Sequence, residues 1–185
     1  QATLDNNPVT IRERAFKTIV RNRVNRGGIL APGVGLLKLG ENGRGITSRW
    51  YPQTLAKRIH SIASLQNRIT FIRDDGMRVL ANYIDDPNAV FYFDPPYTAG
   101  KNGKRAGRRL YTHNEVDHEQ LFDYASRIQG DFLMTYDNAE EVRALARQHN
   151  LDTRLIPMKN THHAKMTELL IGRNLDWIAP FVPLP

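Results

Sequence analysis

Apolar residues recur three or four positions apart in four segments of the chain, which is the spacing of one face of an α-helix. The helices predicted from this pattern cover residues 8–26, 53–66, 115–129 and 138–149. Gly27 and Gly28 follow the first of these segments and favour its end there. The side chains expected to face a core in the first three helices are Ile11, Ala15, Ile19, Leu55, Ile59, Ile62, Val116, Leu121, Phe122, Ala125 and Ile128.

Shorter apolar runs predict strands at residues 69–73, 90–93, 132–136, 153–158 and 168–171. The run at 90–93 is continuously apolar, which is typical of a strand buried on both faces. The last two strands are expected to pair as an antiparallel hairpin. Strands that alternate with helices before a closing hairpin predict an α/β fold with a mainly parallel sheet in three layers.

A carboxylate follows the apolar run at 90–93 directly, since the next residues are Asp94, Pro95, Pro96 and Tyr97. The prolines fix φ and lack N–H groups, so the turn is stiff and its carbonyls have no internal partners. Open α/β sheets bind ligands at this end of their strands. The Asp94 carboxylate and the Pro95 carbonyl together suit methylation of an exocyclic amino group, because they stabilise its developing positive charge. The alternative is a plain strand-to-loop turn with a helix-capping Asp94.

Positive charge is concentrated at the start of the chain. The formal net charge is +7, and residues 1–60 contain 11 Lys and Arg against 3 acids. This distribution suggests a region that faces a polyanion, attached to a nearly neutral reaction region. A basic solubilising surface is the alternative. Arg49, Trp50 and Tyr51 are either nucleic-acid contacts or core residues. The candidate phosphate contacts in this region are Arg23, Arg26, Lys38 and Arg44.

A second basic segment follows Tyr97. Residues 98–109 contain five cations, three glycines and no acid. We expect this loop to close on a nucleic-acid backbone that is distorted beside the reactive carboxylate. An exposed loop without a partner is the alternative. The candidate contacts in and beyond it are Lys101, Lys104, Arg105, Arg108, Arg109 and Lys165.

The Asp-Pro-Pro-Tyr sequence at residues 94–97 resembles the catalytic motif of amino-group DNA methyltransferases. Its surroundings are similar to the adenine-N6 group, the D12 class that includes the Dam methylases. The resemblance covers about residues 12–175 and is more specific after the motif than before it. The segments that match in order and spacing are 22–28, 110–111, 117–121, 132–138 and 165–171.

This resemblance implies an S-adenosylmethionine-dependent enzyme that methylates the N6 amino group of a flipped-out adenine in double-stranded DNA. Residues 94–97 are then catalytic, with Asp94 also a cofactor contact. A target-recognition region would cover residues 1–55, as a small helical and loop insert. A catalytic region with a Rossmann-like methyltransferase sheet would cover residues 56–185.

The family also has an aspartate that accepts a hydrogen bond from the adenine amino group of the cofactor. The resemblance assigns this role to Asp75, with Asp74 as the alternate. An N-cap for a helix over residues 77–83 is an equally good explanation of Asp75.

Members of the family normally carry a strand and a Gly-rich loop ahead of the motif, and no such loop precedes Asp94 in this sequence. We therefore expect a longer protein whose N-terminal part completes the cofactor pocket and acts as a partner of these residues. The alternatives are a non-catalytic DNA-binding relative and an RNA amino-group methyltransferase.

Other classes of chemistry find little support in the sequence. The chain has no cysteine, which excludes disulfides and thiolate catalysis and fits a reducing cytoplasm. No apolar run approaches the ~20 residues of a membrane span. His113, His118, His162 and His163 have neither cysteine partners nor zincin spacing, so we expect no metal site.

Overall fold

The computed structural model describes residues 7–40, 43–98, 115–159 and 165–178, with only the backbone of residues 158, 159, 165 and 166. It divides into two compact units, Gln1–Ile72 and Arg73–Pro185. A compact unit does not assign a function, so the division into a recognition region ending at residue 55 and a catalytic region after it stays a prediction.

The described part of the first unit consists of helices and turns. Helix α1, Ile11–Val24, begins with a capping box in which the Thr10 side chain accepts from the Glu13 amide and the Glu13 side chain accepts from the Thr10 amide. Helix α2, Pro52–Ala63, begins with a proline at its first position. Both helices were predicted, but neither buries a residue.

The apolar stripes of these two helices were predicted to face a core, and this prediction is wrong for several positions. Ile11 is 84% exposed, and Ile59 and Ile62 are also exposed. The described part of the unit contains no strand, so this part offers no sheet to cover the apolar faces of α1 and α2. Phe16 of α1 contacts Trp50 edge to face, with ring centroids 6.5 Å apart.

The Gly-rich segment after α1 turns back onto the end of that helix. Asn25 and Leu36 form an isolated antiparallel bridge, and single 3₁₀ turns cover Arg26–Gly28 and Gly45–Ser48. A third 3₁₀ turn, Gln66–Arg68, follows α2. Within the described residues, this segment is therefore a loop with one bridge.

The second unit contains a four-stranded mixed sheet with the order β1-β2-β4-β3. Its strands are β1, Val90–Phe93; β2, Asp131–Asp137; β3, Asp152–Lys159; and β4, Lys165–Gly172. β1 and β2 are parallel, while β4 pairs antiparallel with both β2 and β3. The predicted α/β class and closing hairpin are confirmed.

Three details of the predicted sheet are wrong. The described sheet is not mainly parallel, because the short connection from β3 to β4 permits only an antiparallel pair and β4 then lies beside β2. Residues 69–73 form no strand, since no described strand pairs with them, and Phe71 is 87% exposed. β1 is not buried on both faces, because Val90 and Tyr92 are 79% and 64% exposed.

Three helices accompany the sheet. They are α3, Gly76–Ala81; α4, His118–Arg127; and α5, Glu140–Gln148. Four of the predicted inward side chains of the 115–129 segment are confirmed as buried, whereas Val116 is only half-buried. No helix in the described ranges has the length and apolar character that a membrane crossing needs. The residues at the centre of the core include Phe122, Ile128, Met134, Tyr136, Leu169 and Ile171.

Gly130 allows the chain to begin β2 close against Ala89, the residue that precedes β1. A methyl group at this position would overlap the carbonyl oxygen of Ala89, to which the Asp131 amide donates at 3.0 Å. We expect Gly130→Ala to lower the free energy of unfolding by about 1–3 kcal/mol, because the strand must shift. Urea denaturation measures this loss.

Gly76→Ala is the matched control for that substitution. Nothing lies within 4 Å of a methyl group built at Gly76, at the start of α3. We expect its free energy of unfolding to stay within about 1 kcal/mol of the wild type. An equal loss in both variants would contradict the packing explanation.

Candidate active site

The carboxyl ends of β1 and β2 and the beginning of β4 meet at one edge of the sheet. This follows from the strand directions, since β1 and β2 are parallel and Asp137 at the end of β2 lies opposite Glu168 near the start of β4. Asp94 leaves β1 at this edge. Polar side chains from three strands are thereby brought to the turn that carries Asp94 and Tyr97.

A hydroxyl of the neighbouring strand holds the Asp94 carboxylate. Thr135 Oγ1 lies 3.2 Å from Asp94 Oδ1 and 3.2 Å from the hydroxyl of Tyr92. Asp94 is an exposed residue, and within the described residues no donor contacts its other carboxylate oxygen. One carboxylate oxygen is fixed, and the other is open to a ligand.

The ring of Tyr97 is supported on one face and at its hydroxyl. It lies roughly parallel to the ring of Tyr136, with 6.2 Å between centroids and 23° between planes. Its hydroxyl donates to Glu168 Oε1 at 2.8 Å. Burial, followed by this hydrogen bond, raises the pKa of Tyr97 well above its usual range, so the phenol remains a donor at neutral pH.

Tyr136 lies against the buried face of the Tyr97 ring. It is fully buried, and its hydroxyl lies 2.9 Å from His118 Nδ1. Tyr97 covers its ring. The surface available for stacking belongs to Tyr97.

The residue after Tyr97 is also attached to β2. Thr98 donates to Asp137 through both its amide and its hydroxyl, at 3.2 Å and 3.0–3.2 Å. Asp137 thereby fixes Thr98, the first residue of the basic segment, at the sheet edge. The segment from 99 to 114 lies outside the described residues.

A cavity of about 300 Å³ lies beside Asp94. Asp75 and Asp94 are both at its wall, and most of the remaining wall is apolar. This volume is at the lower end of the range of small-molecule sites. The lining includes Met77, Leu80, Phe93, Pro95, Val116 and Leu121.

Asp75 and Asp74 have different surroundings. Asp75 is the N-cap of α3, and its Oδ1 accepts from the amides of Met77 and Arg78 at 2.9 and 3.2 Å. Its Oδ2 receives no hydrogen bond from the described part of the chain. Asp74 instead pairs with Arg78 at 3.2 Å and is not among the residues that line the cavity. The geometry therefore favours Asp75 over Asp74 as the carboxylate that lines the cavity beside Asp94 and Glu115, and the N-cap explanation of Asp75 holds as well.

The model of the D12 class N6 adenine-specific DNA methyltransferases matches residues 42–162, which is more than half of the 185-residue chain. The chain belongs to this family. The matched range includes Asp75, the turn at 94–97 and Thr135, whereas Glu168 lies beyond it. No match was found among the curated proteins searched.

The cations predicted to bind DNA occupy different environments in this family member. Arg26, Lys38 and Arg44 are exposed in the first unit. Arg23 is half-buried and lies over the ring of Tyr51, 5.6 Å from its centroid. Contact of these side chains with DNA stays a prediction.

Arg49 has a structural partner in the same unit. Its guanidinium donates to the backbone carbonyls of Asn25 and Asn22 at 2.9 and 3.1 Å, so it caps the end of α1. The side chains of the remaining candidates are not described. Of these residues, only the backbone of Lys165, the first residue of β4, is described. The remaining candidates are Lys101, Lys104, Arg105, Arg108, Arg109 and Lys165.

Sequence reasoning assigned no role to Glu168 or Thr135, which contact Tyr97 and Asp94. Each is a polar residue within an apolar strand, and each is only 7% exposed. A buried polar side chain needs a partner, so its position in a core strand was an available signal. The identity of the partner depends on strand register, which the sequence alone did not supply.

Proposed function

We propose that this protein transfers a methyl group from S-adenosylmethionine to the N6 amino group of an adenine in DNA. The observation that carries the proposal is the placement of Asp94. It lies on a proline-fixed turn with one oxygen held by Thr135, at the wall of a cavity that Asp75 also lines. Membership in the D12 class supplies the reaction and the DNA substrate.

The Asp94 turn provides the two acceptors that an aromatic amine requires. The lone pair of such an amine is delocalised into the ring, and hydrogen bonds from its two N–H groups favour the reactive, pyramidal nitrogen. The open oxygen of Asp94 accepts one N–H and the carbonyl of Pro95 accepts the other. Both acceptors then stabilise the positive charge that develops on the nitrogen.

Tyr97 positions the base for this contact. Its ring stacks on the purine, and its support by Tyr136 and Glu168 keeps it in one orientation. A base within a duplex cannot reach the Asp94 turn, so the adenine must leave the stack. The exposed cations of the first unit and the basic segment after Thr98 are suited by their charge to bind phosphates of DNA.

The cavity beside Asp94 fits the proposed cofactor by its donor and acceptor set. Asp75 presents an oxygen without a described partner to an amino group, and apolar side chains such as Met77 and Leu80 contact a planar ring. When bound, S-adenosylmethionine supplies a methyl group already activated on a sulfonium. The protein's residues then contribute position and electrostatics.

We expect Asp75→Ala to weaken binding of S-adenosylmethionine about tenfold or more, because a charge-assisted hydrogen bond is lost. The substitution also removes the α3 cap, which lowers the free energy of unfolding by about 0.5–2 kcal/mol. Isothermal titration calorimetry and urea denaturation measure the two effects. Asp75→Asn separates them, because asparagine caps a helix equally well but presents an NH₂ group in place of the second oxygen. Asp75→Asn with wild-type cofactor affinity would rule out the proposed contact.

Expression of the chain in bacteria that lack adenine methylation tests the proposal as a whole. Sequencing that detects N6-methyladenine is expected to find it at one short DNA sequence, and to find none when Asp94→Ala is expressed. Methyladenine in RNA alone would favour an RNA methyltransferase. Absence from both, with DNA binding retained, would favour a non-catalytic DNA-binding protein.

A further inference from the structure

Thr135 is a buried hydroxyl in the middle of an apolar strand. It lies between Met134 and Tyr136, both fully buried, and is itself 7% exposed. Its Oγ1 has three polar neighbours, at 3.2 Å from Asp94 Oδ1, 3.2 Å from the Tyr92 hydroxyl and 3.4 Å from the Phe93 carbonyl. A buried hydroxyl needs only one partner to be satisfied, so this convergence asks for an explanation.

The direction of these hydrogen bonds follows from the protons available. Thr135 has one hydroxyl proton, whereas an ionised carboxylate and a carbonyl can only accept. Tyr92 is therefore the neighbour that donates to Thr135, and Thr135 donates to Asp94, whose oxygen is closer than the carbonyl. Donation from a hydroxyl that itself accepts a hydrogen bond is strengthened by cooperativity.

We propose that Thr135 is a positioning residue for methyl transfer, which with Tyr92 holds Oδ1 of Asp94 and directs Oδ2 to the substrate amine. This inference rests on the proposed role of Asp94. Thr135 is not among the residues that line the cavity, so it acts through the carboxylate. Asp94 is exposed, and without this contact the described residues offer its side chain no other hydrogen bond.

The strand that carries Thr135 also supports the second catalytic side chain. Tyr136, the next residue of β2, lies against the ring of Tyr97, so the same strand positions both side chains of the turn. Thr135 belongs to β2, whose core side chains cannot move independently. Its hydrogen bond therefore fixes Asp94, on the exposed turn, relative to a rigid strand. Small displacements of a reacting group have large kinetic effects, so fixing the Asp94 carboxylate in this way favours methyl transfer.

Thr135→Val and Thr135→Ser test the proposal as a matched pair. Valine keeps the shape and loses the hydroxyl, and we expect kcat to fall about tenfold to a hundredfold with KM for DNA nearly unchanged. Serine keeps the hydroxyl, and we expect it to retain kcat within about threefold of the wild type, since the contact survives. Tyr92→Phe removes only the donor behind Thr135 and is expected to lower kcat about fivefold. Wild-type kcat in Thr135→Val, or an equal loss in Thr135→Ser, would overturn the proposal.

Crystal structures of these variants, without DNA or cofactor, provide a readout that does not depend on turnover. We expect Asp94 to keep its rotamer in Thr135→Ser and to leave it in Thr135→Val. An unchanged Asp94 side chain in Thr135→Val would overturn the proposal even if the wild type transferred no methyl group. If Thr135→Val fails to fold, Tyr92→Phe and Thr135→Ser decide the question by the same comparison. Failure of the proposed function would instead appear as an inactive wild type.

Discussion

Replacing Asp94 with alanine is expected to lower kcat for adenine methylation at least about a hundredfold, because the acceptor that stabilises the developing charge is lost. The Pro95 carbonyl and the stacking surface of Tyr97 remain, so KM for DNA should change little. Steady-state kinetics with DNA that contains the recognised sequence separate the two constants. Asp94 is exposed, and its removal should leave the free energy of unfolding within about 1 kcal/mol of the wild type.

Asp85→Ala is the matched control. Asp85 is an exposed aspartate of the same unit that lies in the turn before β1 and does not line the cavity. Its replacement removes one negative charge and should leave kcat unchanged. Equal losses in the two variants would mean that net charge, and not the position of Asp94, accounts for the effect.

Tyr97→Ala is expected to weaken binding of the recognised duplex about 5-fold to 150-fold, which corresponds to ~1–3 kcal/mol of lost base stacking. The alanine variant also leaves Tyr136 uncovered and the Glu168 carboxylate without its donor. Equilibrium titration of labelled duplex, at one fixed salt concentration, measures the change.

Tyr97→Phe distinguishes the ring from the hydroxyl. Phenylalanine keeps the stacking surface, so duplex affinity should stay near that of the wild type. The buried Glu168 loses its partner, which should lower the free energy of unfolding by about 1–3 kcal/mol. If Tyr97→Phe loses as much affinity as Tyr97→Ala, stacking is not the role of Tyr97.

Local patterns predicted the elements of the second unit well. Helical spacing and apolar runs located α4, α5 and all four strands, since these segments have strong periodicity and a core to bury. The turn at 94–97 was recognisable because prolines restrict the backbone wherever they occur. For Asp75 the sequence left a cofactor contact and a helix cap as alternatives; the cap is confirmed, and the cofactor contact stays a prediction.

The errors arise where structure depends on partners distant in the sequence. Residues 69–73 have the composition of a strand, but a strand also requires a neighbour to pair with, and the described residues supply none. The stripe of α1 predicted a buried face, whereas Ile11 is exposed because the described part of its unit offers no sheet to cover it. Thr135 and Glu168 were missed for the same reason, since only the register of β2 and β4 shows that they contact Asp94 and Tyr97.

The most direct test of the central claim uses the purified protein, S-adenosylmethionine and unmethylated DNA. After incubation, the DNA is digested to nucleosides and analysed by mass spectrometry, with Asp94→Ala and Asp85→Ala in parallel. We predict N6-methyladenine with the wild type and with Asp85→Ala, and at least about a hundredfold less with Asp94→Ala. Equal amounts of N6-methyladenine from the wild type and Asp94→Ala would contradict the proposed role of the Asp94 turn.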